Sequence, residues 1–488
     1  MIEPPTESAL ARLTTQLRMA MAFTRAARVL EWDQRTFMPP GGLAARADQL
    51  ATLQRLAHAY TSDRRMGDLI ERAADEVAAR AQTTALARGA WIDARTHDDF
   101  ALFVPWLRKT VEQSRRYADY LGYQDHPFDA LLALTEPGLT TAHLRALFAE
   151  LRPALIALIA RIGSQGERAP ESALRQSYDR SLMDGLARQV ITRFGYDVTR
   201  GRLDRGSNAV EVPIARDDVR IILSAHVTTL RVTLSSALHE GGHGLYEQNI
   251  APALDGLPLG RGASPSLHES QSLLWQNQVG CSRPFCAFLT PLLRAAFPDP
   301  FDAVDADDLY RDLNTVRPAL IRKTTDEVTY CLQYMQRFEL ELALMEGALR
   351  PEDVQDAWDA AMRDAGGLTP PTKRLGILQA GHWYKGLGVF HTYALGAIIA
   401  AQLWEAALIA HPNVPEQVAQ GEFGDLLTWL RTNVYRHGRK FDPSDLVQRA
   451  TGAPIRVEPY VQPNVQLFLG LKRPASHPDR AEHVPSGG

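Results

Sequence analysis

The stretch "SSALHEGGHGLYEQN", residues 235–249, places two histidines four positions apart with a glutamate between them. On a helix, residues i and i+4 stand one turn apart on the same face. His239 and His243 can then offer two imidazole nitrogens to one ion, with Glu240 beside them. A catalytic zinc takes three protein ligands and keeps one position open for water. A carboxylate next to that position can serve as general base. Two ordinary histidines on one helix face would show the same spacing. Gly241, Gly242 and Gly244 weigh against that plainer reading, because each glycine costs a helix roughly 1 kcal/mol against alanine. Such crowding suits a place where backbone and substrate approach closely.

After a glycine- and proline-containing loop, "SPSLHESQSLLWQNQVG" (264–280) opens another helical segment. An acid on that segment can complete a two-histidine, one-carboxylate site. Spacing alone does not choose among Glu269, Glu247 and His268. Glu247, one turn beyond His243, suits a supporting role in which it accepts a hydrogen bond from a ligand histidine.

The rest of the chain sets the frame. Of 488 residues, 45% are hydrophobic and 23% charged, the balance of a globular protein. A net charge of −4 gives no broad electrostatic reason to bind nucleic acid or a membrane surface. Three cysteines, Cys281, Cys286 and Cys331, suit a reducing cytoplasm without a disulfide framework. The N-terminus lacks the basic and apolar regions of a signal peptide. "ALGAIIAAQLWEAALIA" (394–410) carries Gln402 and Glu405, and is expected to be a buried helix rather than a membrane span.

Apolar residues recur mostly at spacings of three and four, as in Leu144, Leu147, Leu151 and Leu155, or Phe338, Leu342 and Met345. "RPEDVQDAWDAAMRDAGG" (350–367) opens with proline and acids and closes on two glycines, as a capped helix does. "AVEVPI" (209–214) and "DVRIILSAHVTTLRVTL" (218–234) alternate and are β-branched, which predicts a small sheet just before the histidine motif. The pattern predicts an all-α fold with that one small sheet. A single domain is expected over 1–472, with a disordered tail at 473–488.

At this level the chain resembles the carboxypeptidase Taq family. Besides "HEGGHGLYEQ" and "PLGRGASPSLHESQSLLWQN", the similarity runs through "LEWDQRTFMPPGG" (30–42), "HPFDALL" (126–132), "GRLD" (201–204), "LIRKTTDEVTYCLQYMQRFELE" (320–341), "GILQAGHW" (376–383), "TYALG" (392–396) and "RHGRKF" with "ATG". These segments follow the family's order over about residues 5 to 470. The resemblance implies one large helical domain with a deep central cleft, like angiotensin-converting enzyme and neurolysin, usually as a homodimer. It implies zinc, replaceable by cobalt or manganese, and removal of single residues from peptide C-termini. It carries the metal ligands to His239, His243 and Glu269, and the base to Glu240. Asp218 and Arg220, with Arg322 and Asp326, match its arginine-bearing motifs, and a guanidinium can grip a free carboxylate in two parallel bonds. His268 and Gln379 fall on the substrate side, and Tyr393 and His382 are the candidate donors to the oxyanion.

Several family positions differ. Asn208 to Val210 stand where the family has "HPF", Ile222 for a threonine, Thr325 for an alanine, Ala380 for an aspartate, Gln276 for a glutamate and His391 for a proline. Ligands and base are kept while substrate-side positions change. A lost polar contact to a charged group costs about 1.5–3 kcal/mol, so the expectation is a working hydrolase with an altered or narrowed pocket. Two other readings stand beside it: hydrolysis of an unusual amide carrying a free carboxylate, and a catalytically weak metal-binding homologue. The intact Glu240 opposes the last, since a structural zinc needs no general base.

Overall fold

The computed structural model describes residues 9–61, 68–163, 172–316, 319–320 and 326–462. Seven helices come first: α1 (Ala9–Thr36), α2 (Leu43–Thr61), α3 (Asp68–His97), α4 (Val104–Leu121), α5 (Pro127–Thr135), α6 (Thr141–Gly163) and α7 (Arg180–Phe194). Strands β1 (Gly201–Gly206), β2 (Val210–Ala215) and β3 (Asp218–Ser224) follow. The chain then returns to helix: α8 (Leu230–Gln248), α9 (Pro265–Leu273), α10 (Arg283–Ala296), α11 (Pro298–Phe301), α12 (Ala306–Leu313), α13 (Glu327–Glu346) and α14 (Val354–Gly366). Helices α15 (His391–Ala410), α16 (Val414–Ala419), α17 (Gly424–Asn433) and α18 (Pro443–Thr451) complete it. This is the mainly helical fold that the 3.6-residue periodicity predicts.

The sheet has the order β1-β3-β2, with β1 parallel and β2 antiparallel to the central β3. Its strands run shorter than the alternation suggests. Val232, Thr233 and Leu234, read as strand from their β-branched neighbours, lie in the first turns of α8. Tertiary packing of α8 on β3 overrides local propensity there. Conversely β1, "GRLDRG", carries no strand-like signal and forms by pairing with β3. α14 begins at Val354, three residues after the proline that seemed to open it.

One main core runs from Ala87 to Tyr460 and includes Trp275, Trp358, Trp383 and Phe338. α15 is apolar on all sides and is buried along most of its length, packed against α9 and α13. It is long and apolar enough to cross a membrane by composition, yet its sides are covered by protein. A smaller cluster, Val212, Ile214 and Ile222, packs the other face of the sheet against Trp32 of α1.

The helix glycines have a packing explanation that differs from the sequence reading. A Cβ on Gly242 would stand 2.5 Å from the carbonyl oxygen of Gln271, and one on Gly244 would stand 2.8 Å from the Tyr196 ring. The glycines admit neighbouring protein rather than substrate. Gly242 lets α8 and α9 come close enough for side chains on the two helices to share one site, while Gly244 makes room for Tyr196. Gly396 of α15 does the same from the other side, since a Cβ there would meet Cβ and Cγ of Glu269 at 2.9 Å.

Candidate metal centre

Nitrogen and oxygen donors converge between α8 and α9. His239, Glu240 and His243 each offer one donor atom, and these atoms lie within 4.8 Å of one another. Across the gap, Glu269 Oε2 stands 3.8 Å from His239 Nε2 and 3.4 Å from His243 Nε2. The other ring nitrogens point away. His239 Nδ1 meets Gln276 Oε1 at 2.7 Å, which requires the histidine to donate. His243 Nδ1 meets His268 Nδ1 at 2.5 Å, and His268 Nε2 meets Glu247 Oε1 at 3.1 Å. One consistent assignment sends a proton from each donor outward along this chain, ending on the Glu247 carboxylate. It leaves both Nε2 lone pairs facing Glu269.

The electrostatics call for positive charge in this gap, and a proton on His243 Nε2 competes with a cation for the same lone pair. Burial opposes charge on His243, but the hydrogen bond and field of Glu269, together with Glu240 and Glu211, outweigh it and raise its pKa to about 9. Burial likewise opposes ionisation of Glu269, yet His239, His243 and the Tyr330 hydroxyl hold it down at about 2. Glu247 is kept ionised, down at about 2, because Arg261 and His268 outweigh its burial. Burial keeps His268 below its ordinary value. An electronegative pocket with two imidazole nitrogens and a carboxylate, in which a cation can displace the His243 proton, fits a divalent ion of the zinc type.

Other expected site residues fall in different places. Tyr393 lines the metal pocket, its ring stacked on Tyr334 at 4.1 Å, and its hydroxyl meets His382 Nε2 at 2.5 Å. His382 therefore stands behind Tyr393. His268 was expected to face substrate. The structure corrects this, because both its ring nitrogens are occupied by His243 and Glu247. Arg220 also needs correction. Strand alternation turns Ile221 toward α8, where its Cδ1 would meet a Gly244 Cβ at 3.6 Å, and so turns Arg220 to the opposite face. There it makes two bonds to Asp218, at 2.8 and 2.9 Å, and lies 4.6 Å over the Trp32 ring. Gln379 is bound to the backbone of Leu320 and Leu375, at 2.8 and 3.0 Å, rather than turned to the metal pocket. Asp326 lines the pocket while its carboxylate caps α13 through Thr329. Arg322, Thr325 and the tail at 473–488 lie outside the described residues.

Two residues that spacing did not single out belong to the centre. Tyr330 donates to Glu269 Oε1 at 2.9 Å and lines the pocket with Tyr334. Glu211 of β2 pairs with Ile221 and so faces α8, its carboxyl raised to about 8 by burial and by Glu247. Only the i, i+4 tyrosines in "DEVTYCLQY" hinted at the first, and nothing in the sequence hinted at the second.

A mainly helical molecule with two histidines from one helix and a carboxylate from the next, all facing one gap, has the makings of a divalent-metal site. Comparison with known proteins makes this specific. The Carboxypeptidase Taq (M32) metallopeptidase family model matches residues 12–86 and 71–465, and the chain belongs to that family. It is 34% identical over 471 residues to Carboxypeptidase 1 of Bacillus subtilis, covering 90% of this chain and 94% of that protein. To Thermostable carboxypeptidase 1 of Thermus thermophilus it is 35% identical, covering 88% and 92%. The crystal structure of the M32 carboxypeptidase of Deinococcus radiodurans superposes with a TM-score of 0.84 at 35% identity, covering 93% of this chain and 98% of that one. The chain is thus a metallocarboxypeptidase homologue whose family implies a divalent metal and a peptide substrate.

Proposed function

We propose that this protein removes the C-terminal residue from peptides with zinc as the resident ion. His239, His243 and Glu269 are the residues that would hold it. Bound there, the cation would supply Lewis-acid activation of water and of the scissile carbonyl. The observation that carries the reading is the orientation of the two imidazoles: Gln276 and His268 take the Nδ1 positions and leave both Nε2 atoms turned to Glu269.

The chain's own groups supply the remaining chemistry. Glu240, 5% exposed and beside both histidines, takes the proton of the attacking water and passes it to the leaving amine. The Tyr393 hydroxyl, positioned by His382, donates to the oxygen that gains charge. Tyr330 and Gln276 hold ligand side chains in place from outside. The family resemblance supports a homodimer, to be checked by light scattering. The three cysteines, free of disulfides, suit a cytoplasmic location.

The test is Glu240→Gln. The variant should bind the ion as the wild type does, by metal analysis, while kcat on N-blocked dipeptides falls about 10²- to 10⁴-fold. Undiminished turnover would show that Glu240 is not the base.

A further inference from the structure

Beside the metal pocket lies a second cavity of about 250 Å³. The two share Ser235, Gln276, Asn277, Asp326 and Glu327, so they are lobes of one cleft. The division between them falls at Gln276. Its Oε1 accepts from His239, and its Nε2 donates to Ser235 Oγ at 2.9 Å. This places a side-chain bridge at the neck, with a ligand histidine on one side and the second cavity on the other.

The walls of that cavity carry a cluster of apolar side chains, Leu174, Val232, Leu238, Phe285, Leu289 and Leu313, with polar residues among them. Several polar groups around it bond to the framework, and at the neck Asp326 caps α13 through Thr329 while Glu327 accepts from Gln278 at 3.1 Å. Arg175 and Arg231 both reach Asp312, at 3.2 and 3.5 Å. Arg231 also donates to the carbonyls of Asp312 and Leu313, and Asn314 to those of Cys281 and Tyr310. At the neck, by contrast, Ser235 accepts from Gln276 and keeps its own O–H to donate. A chamber with an apolar cluster on its walls and a donor at its mouth suits a substrate whose main chain stays at the neck and whose side chain enters. A cavity of about 150 Å³ already holds a benzene ring, so this one has room for an aromatic or long aliphatic group.

We propose that this second lobe is the specificity pocket for a large apolar side chain of a residue adjoining the scissile bond. The inference rests on the peptidase reading for its reaction and names the substrate class that the cleft selects. The experiment measures kcat/KM for N-blocked dipeptides in two series, varying the C-terminal or the penultimate residue through alanine, leucine and phenylalanine. In one series leucine or phenylalanine should exceed alanine by about tenfold or more. Val232→Phe, which fills the cavity from α8, and Leu313→Phe, which fills it from α12, should bring that ratio close to one. Thermal midpoint and metal content identify the variants that remain folded. A large-residue preference that survives in folded variants, or no such preference in either series, overturns the assignment. If metal-loaded wild type cleaves no peptide, the peptidase reading fails instead. The pocket is then judged by calorimetry of 3-phenylpropionamide on metal-free protein: binding that Val232→Phe or Leu313→Phe weakens about tenfold supports it, and no binding overturns it.

Discussion

Gln276 presents an uncharged amide to His239, at a position where the family resemblance leads one to expect a carboxylate. An amide oxygen accepts the Nδ1–H but adds no charge, so it makes the imidazole a weaker donor to a cation than a carboxylate would. Gln276→Glu should therefore tighten metal binding by about tenfold, measured by competition with a chelator of known affinity. An unchanged or weaker affinity would contradict this account of the residue. The site was unevenly legible at this scale. His239, His243 and Glu240 declare themselves by the i, i+4 rule, because one helix turn fixes their geometry. Glu269, Tyr330 and Glu211 come from other elements, and their approach depends on tertiary packing that no local pattern encodes. His268 and Arg220 show the reverse error: both were expected to face substrate, but His268 backs the ligand His243 and Arg220 lies on the other face of the sheet.

At the scale of elements, the site depends on how α9 is set against α8 and α15. Glycines at 242 and 396 permit the close approach, and Glu136, from the end of α5, fixes the N-terminus of α9 by accepting the Ser266 N–H at 2.6 Å. Burial pushes the Glu136 carboxyl up to about 7, against opposing hydrogen bonds from Ser264 and Ser266, compared with 4.5 ordinarily. Below about pH 4.5 the group is protonated whether the chain is folded or not. Between about 4.5 and 7 the unfolded chain releases the proton while the folded one keeps it, so this group's contribution to stability falls as pH rises, and levels off above 7. The total is of order 3 kcal/mol at most. Glu136→Gln removes the titration, so its thermal midpoint relative to wild type should rise steadily from pH 5 to pH 7.5. A gap that does not change with pH would show that Glu136 does not bury its proton. None of this was legible beforehand, since residues 136 and 266 are joined only by the fold. The helices themselves were, because their stripes of leucine and phenylalanine are long and regular. The strands were partly legible, because alternation continued past Ser224 into residues that α8 claims.

For the molecule as a whole, the ordered run of family motifs and the helical periodicity led to the right architecture, with α15 in its interior as its apolar composition required. The two-lobed cleft was not legible, since its walls come from α8, α10 and α12 and from the 3₁₀ turn at Ala173–Arg175. Its shape, together with the outward-turned Nδ1 atoms, ties the metal centre to a place for substrate. The most direct measurement is diffraction from crystals grown with zinc, with data on both sides of the zinc absorption edge. The account predicts one anomalous peak about 2.0–2.2 Å from His239 Nε2, His243 Nε2 and a carboxylate oxygen of Glu269. Crystals with no peak in that gap, or with the ion held by other side chains, would contradict it.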